Sequence, residues 1–154
     1  MDDEVPSYDV FLCYSWADGE TADALHGAMT GVGLSVFQDK VDGEAFAPLG
    51  DSITSALRRS RTLVALMSPR LRNSPHCREE LHVALSAAAR LGDTSRVMAV
   101  VLDMSPDEVR PRELTRLRLP RTAIPGPDLA AEIAAAVNRH TGLLGDASPR
   151  PDPP

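Results

Sequence analysis

Residues 62–67 (Thr, Leu, Val, Ala, Leu, Met) form an uncharged run with no polar–apolar alternation. A strand that is apolar on both faces must be covered on both, so it needs a helical layer above and below its sheet. Residues 97–102 repeat the pattern, and residues 8–14 and 34–37 read as further strands. Between these runs the apolar positions switch to helical spacing. Ala22, Leu25, His26, Ala28 and Met29 give one inner face, closed by Gly31 and Gly33, and Ile53, Ala56 and Leu57 give a second. Cys77, Leu81, Ala84, Leu85 and Ala88 give a third, running to about residue 91. Leu129, Ile133, Ala136 and Val137 give a fourth, over about residues 128–140. Strands alternating with helices mean a parallel sheet. The expected fold is therefore α/β, a flavodoxin-like three-layer sandwich with a central parallel five-stranded sheet. Pro106, Pro111, Pro120 and Pro125 forbid long elements between 103 and 126, which leaves a short fifth strand near residues 121–124.

A chain of 154 residues fits one domain with a proper core. The expected division is a tail at residues 1–7, the domain at 8–141, and a Pro-rich linker at 142–154 leading to a further domain. The net charge of −6 provides no basic footprint for direct nucleic-acid binding. Arg58, Arg59 and Arg61 are clustered, but at a helix end, where cations favour the dipole. The acidic N-terminus is no signal peptide, and no apolar run reaches the length of a membrane span. A cytoplasmic protein is expected. Cys13 and Cys77 lie in apolar surroundings without a CxxC, which favours buried, reduced thiols over a disulfide or a metal site. The four histidines show no metal-ligand spacing.

In a parallel sheet of this type, ligands bind beyond the carboxyl ends of the strands where strand order reverses. That rule gathers Ser15, Trp16, Asp39 and the loop of residues 40–50 around one crevice. The helix after the third strand has its own start signal, with Ser74 as N-cap and Pro75 at the first position. At about 100° per residue, Glu79 falls opposite the apolar stripe, whereas Glu80 lies roughly 80° from its centre, beside His76. Glu80 is then either an ordinary border residue or the acid of a cleft.

Several chemistries are disfavoured by the residues present. There is no GxGxxG and no Walker loop for nucleotide phosphates, and no GxSxG for a serine hydrolase. A phospho-acceptor receiver needs acids after the first and third strands, where this chain has Tyr14-Ser15 and Ser68-Pro69. Glycosidic cleavage remains open to a lone carboxylate, which can stabilise a ribosyl oxocarbenium ion. When nicotinamide leaves, it departs neutral and needs no general acid.

At this level of detail the chain resembles a TIR (Toll/interleukin-1 receptor) domain over about residues 7–141. The resemblance is carried by Tyr8-Asp9-Val10-Phe11-Leu12-Cys13-Tyr14-Ser15, by Gly33-Leu34-Ser35-Val36-Phe37-Gln38-Asp39, by Leu66-Met67-Ser68-Pro69, and by Cys77-Arg78-Glu79-Glu80-Leu81. It implies that residues 40–50 are the family's BB loop, with Phe46 and Leu49 as candidates for self-association. In the members that cleave NAD the glutamate of the last segment is catalytic, which here is Glu80. Ser15, Trp16, Asp39, Glu44 and His76 fall where such domains line the nucleotide cleft. His76 stands where the family usually has Trp, and Trp16 where many members have a basic residue.

Three functions follow as expectations. The first is an NAD+ glycohydrolase or cyclase of the bacterial type, with NAD+ as substrate rather than cofactor. It would be activated by self-assembly of TIR domains through the 40–50 loop, coupled to a linked sensor domain, and used in immune or toxin signalling. The second is a non-catalytic TIR–TIR scaffold, and the third is a binder of a nucleotide signal.

Overall fold

A computed structural model of the chain describes residues 7–38, 51–102, 115–118 and 126–146. Its five strands are β1 (Tyr8–Cys13), β2 (Val36–Gln38), β3 (Ser60–Met67), β4 (Val97–Val101) and β5 (Thr115–Arg118). They form one sheet in the order β2-β1-β3-β4-β5, and every neighbouring pair is parallel. Among the described residues the helices are α1 (Gly19–Gly31), α2 (Asp51–Arg58), α3 (Pro69–Arg72), α4 (Pro75–Arg90) and, after β5, α5 (Pro127–Val137).

The two-faced strands do what their composition requires. Val10, Leu12, Val64, Leu66, Met98 and Val100 face one layer, where α1 packs through Ala22, Leu25 and Met29, and α5 through Leu129, Ile133 and Val137. Phe11, Cys13, Leu63, Ala65, Met67, Val97, Ala99 and Val101 face the other, against α2, α3 and α4. Burying such side chains stabilises each by about 1.5–3 kcal/mol relative to exposure, so neither face tolerates a polar strand. The α/β sandwich with a five-stranded parallel sheet is as expected.

Local differences have physical causes. The expected second strand at 34–37 begins two residues later, with Leu34 buried before it. The expected fifth strand at 121–124 lies outside the described residues, and the strand that completes the sheet is Thr115–Arg118. Its sequence, Thr-Arg-Leu-Arg, alternates as an edge strand does and so escapes a search for continuous apolar runs. The last helix ends at Val137 rather than near 140. The first residues assigned to the linker fold back onto the domain: Leu144 is 2% exposed within the α2–α4 layer. The Arg96 guanidinium also donates to the carbonyls of Thr141 and Gly142.

This topology places one switch point. From β1 the chain crosses to β2 on one side, returning through α2 on the opposite face to β3 on the other side. The chain thus leaves the carboxyl ends of β1 and β3 toward opposite faces of the sheet, the point at which folds of this type form their ligand crevice.

Candidate active site

Each wall of the crevice is set by a local rule. Beyond β1, Ser15 caps a 3-10 turn at Trp16–Asp18, its Oγ accepting from the Ala17 N–H at 3.4 Å. Beyond β3, Ser68 caps α3, its Oγ accepting from the Leu71 N–H at 3.1 Å, with Pro69 at the first helical position. Ser74 caps α4 in the same way, accepting from the Cys77 N–H at 3.3 Å. Two successive Ser-Pro starts therefore turn the chain sharply and bring the first turns of α4 beneath the end of β1.

Asp18 fastens the two strand ends together. It is 7% exposed, yet its carboxylate accepts from Ser68 Oγ at 2.7 Å and from Arg70 Nε at 2.6 Å. The end of β2 is tied separately, since Gln38 Nε2 donates to Asp23 Oδ1 at 2.8 Å and to the Tyr14 hydroxyl at 3.3 Å. His26 Nδ1 lies 2.7 Å from Gln38 Oε1.

Glu80 sits on α4 under this junction. It is 4% exposed, while neighbouring Glu79 is exposed, as the helical wheel requires. Its burial goes beyond the border position expected of it. The wheel registers only the helix's own stripe, whereas Cys13 at the end of β1 overhangs this position. One carboxylate oxygen of Glu80 and the sulfurs of Cys13 and Cys77 lie within 4.8 Å of one another. His76 Nε2 stands 3.3 Å from Glu80 Oε2. The contact is close but off the axis of a hydrogen bond, since both ring nitrogens are buried without a hydrogen-bond partner.

Both cysteines are buried and free. Cys77 Sγ donates to the Tyr14 carbonyl at 3.2 Å, tying α4 to the exit of β1, and Cys13 Sγ contacts the Cys77 carbonyl at 3.7 Å. The hydrogen bond to Cys77, burial and the charge of Glu80 push the Cys13 thiol well up. The same thiol–thiol contact, helped by Ser74, pulls Cys77 down against its own burial. Cys77 is therefore the member of the pair that ionises first.

The expected site residues divide into three groups. Glu80 and His76 come together on one turn of α4. Ser15 is buried at the strand end, with its oxygen engaged in a cap, and Trp16 is 75% exposed. Asp39, Glu44, Phe46, Leu49 and the 40–50 loop lie outside the described residues. Sequence reasoning missed Asp18 and Arg70, for which the one available signal was the Ser-Pro start after β3. Among the described residues no helix is long and apolar enough to cross a membrane.

The fold and this arrangement define a doubly wound α/β domain with a carboxylate at its switch point. The sequence profile of the TIR domain matches residues 10–130, and the chain belongs to that family. Among solved structures it resembles the TIR domain of the Toll-related receptor TRR-2 from Hydra magnipapillata. That match has 20% identity and a TM-score of 0.57, covering 86% of this chain and 97% of that one. It also resembles a TIR-STING receptor from C. gigas solved in complex with 2',3'-cGAMP, at 18% identity and a TM-score of 0.61, covering 88% of this chain and 41% of that one. A third is the TIR portion of the activated Roq1 resistosome that recognises the effector XopQ, at 19% identity and a TM-score of 0.56, covering 92% and 83%. At these identities the likeness establishes the fold. No curated protein sequence matches the chain.

Proposed function

We propose that this TIR domain is an NAD+ nucleosidase that breaks the bond between nicotinamide and ribose, with Glu80 as its catalytic carboxylate. The observation that carries the reading is the placement of Glu80, a carboxylate withdrawn from water at the carboxyl end of β1, on the helix turn where the NAD-cleaving members of the family have their glutamate. As the C1′–N bond breaks, its electron pair leaves with nicotinamide and positive charge develops on the ribose ring. A fixed carboxylate in a dry site stabilises that charge far better than it would in water. Water then captures the cation to give ADP-ribose, or the adenine of the same molecule captures it to give a cyclic product. His76 Nε2 stands 3.3 Å from Glu80 Oε2, so a ribose that reaches the carboxylate would meet its ring.

Activation by assembly belongs to the same reading. TIR domains occur together in the Roq1 resistosome, and the exposed Trp16 beside the crevice gives a neighbouring subunit an apolar surface to cover. Ser15, Asp39 and Glu44 would contact the nucleotide, and the 40–50 loop the neighbouring domain. The remaining proposals are a bacterial immune or toxin setting, a linked sensor domain beyond the Pro-rich tail and a cytoplasmic location.

One observation favours a second reading. The burial of Glu80, in contact with His76, suits a scaffold that binds other TIR domains without turnover. Chromatography of NAD+ incubated with concentrated protein separates the two. Nicotinamide with linear or cyclic ADP-ribose supports the enzyme; intact NAD+ across the whole concentration range leaves the scaffold.

A further inference from the structure

We propose that Cys13, Cys77 and Glu80 form a three-donor binding site for a thiophilic divalent cation of the zinc class. The donors come from two elements that the sequence separates by 64 residues, which is why no metal-ligand spacing is visible in the chain. Cys77 and Glu80 occupy one turn of α4, and Cys13 closes the group from the end of β1.

Three protein donors suit a zinc-class ion that keeps its fourth position open. With Zn–S near 2.3 Å and Zn–O near 2.0–2.1 Å, the edges of a tetrahedron are about 3.8 Å between sulfurs and about 3.5 Å between sulfur and oxygen. The three donor atoms lie within 4.8 Å of one another, so a contraction of at most about 1.3 Å brings each pair to its edge. His76, 3.3 Å from Glu80 Oε2, lies outside this group of donors. Thiolates favour zinc over magnesium or calcium, which require oxygen donors. Binding releases the thiol protons to solvent and leaves two thiolates and one carboxylate around the ion. An ion held there occupies the carboxylate of Glu80. That consequence for turnover rests on the reading above, whereas the site itself does not.

The test is made with the whole chain, kept reduced by a phosphine rather than a thiol. Zinc titration against a chromophoric chelator should show one ion per chain. Co2+ in its place should give a thiolate-to-cobalt charge-transfer band, which can arise only from Cys13 and Cys77, the two cysteines of the chain. Cys77→Ser should weaken zinc binding by more than the ~10- to 100-fold expected from loss of an outer-shell partner. The cobalt spectrum needs no variant, so a fold disturbed by substitution at Cys13 does not obscure the answer. Absence of the charge-transfer band, or zinc affinity unchanged in Cys77→Ser, would overturn the proposal. If zinc binds as described but NAD+ is never cleaved, the site stands and the catalytic reading fails. If NAD+ is cleaved and no metal binds, the reverse holds.

Discussion

Replacing Ser68 by Ala removes one oxygen atom that makes two buried hydrogen bonds. As acceptor, Ser68 Oγ caps α3 through the Leu71 N–H, and loss of an N-cap costs about 1 kcal/mol. As donor, it satisfies the Asp18 carboxylate at 2.7 Å, and a hydrogen bond to a charged group contributes about 1.5–3 kcal/mol. Arg70 still neutralises Asp18 and is itself partly exposed, so the lower half of that range applies. The expected destabilisation is about 2.5–3 kcal/mol, a large share of the roughly 5–15 kcal/mol of a typical domain. Thermal unfolding should shift by roughly 7–9 °C at about 3 °C per kcal/mol. A double-mutant cycle isolates the mechanism. In an Asp18→Ala background no side-chain acceptor remains, so Ser68→Ala should cost only its cap, and the cycle should return a coupling of about 1.5–2 kcal/mol. Denaturant melts of the four proteins provide the measurement. If the two substitutions are additive within about 0.5 kcal/mol, the idea that Ser68 and Asp18 jointly tie the ends of β1 and β3 is wrong.

Three further outcomes follow from the structure. Ser74→Ala removes the cap of α4 and should cost about 1 kcal/mol in chemical unfolding, with Ser74→Gly costing only a few tenths. In Gly145→Ala the new methyl would lie 2.7 Å from the Arg58 carbonyl oxygen, so α2 or the C-terminal turn must shift. Heat unfolding should come earlier in that variant by a few degrees, corresponding to the roughly 1–3 kcal/mol of overpacking. His140 is buried against Asp93 at 3.1 Å, and burial lowers its pKa below the ordinary value of about 6.5. The unfolded chain therefore binds this proton more readily than the native state does. Its contribution to stability is present above pH of about 6.5 and is lost as pH falls from there through the lowered native value. His140→Gln should flatten that part of the pH–stability curve.

The sheet was legible in the chain because its central strands are buried on both faces, and continuous apolar runs such as residues 62–67 have few other uses. The start of α4 was legible because Ser-Pro signals both cap and direction, and the wheel separated Glu80 from Glu79. What escaped was written in distant pairs. Asp18 meets Ser68 across 50 residues of sequence, and Cys13 meets Cys77 across 64, so no local pattern marks either. The fifth strand escaped for the opposite reason. As an edge strand between prolines, it carries the weak alternation of a half-covered element rather than the strong signal of the centre. The depth of Glu80 was also invisible, since a helical wheel contains no neighbouring strand.

The comparison of Glu80→Gln with Glu79→Gln, by nicotinamide release at the concentration where wild type is most active, tests the central claim most directly. Both substitutions keep size and helix propensity and remove one negative charge, and only one of the two positions is buried at the switch point. Loss of a single preorganised electrostatic contact is worth about 100- to 1000-fold in rate, so Glu80→Gln should fall by that factor while Glu79→Gln stays within about twofold of wild type. Equal release by wild type and Glu80→Gln, with both proteins folded, would contradict the account.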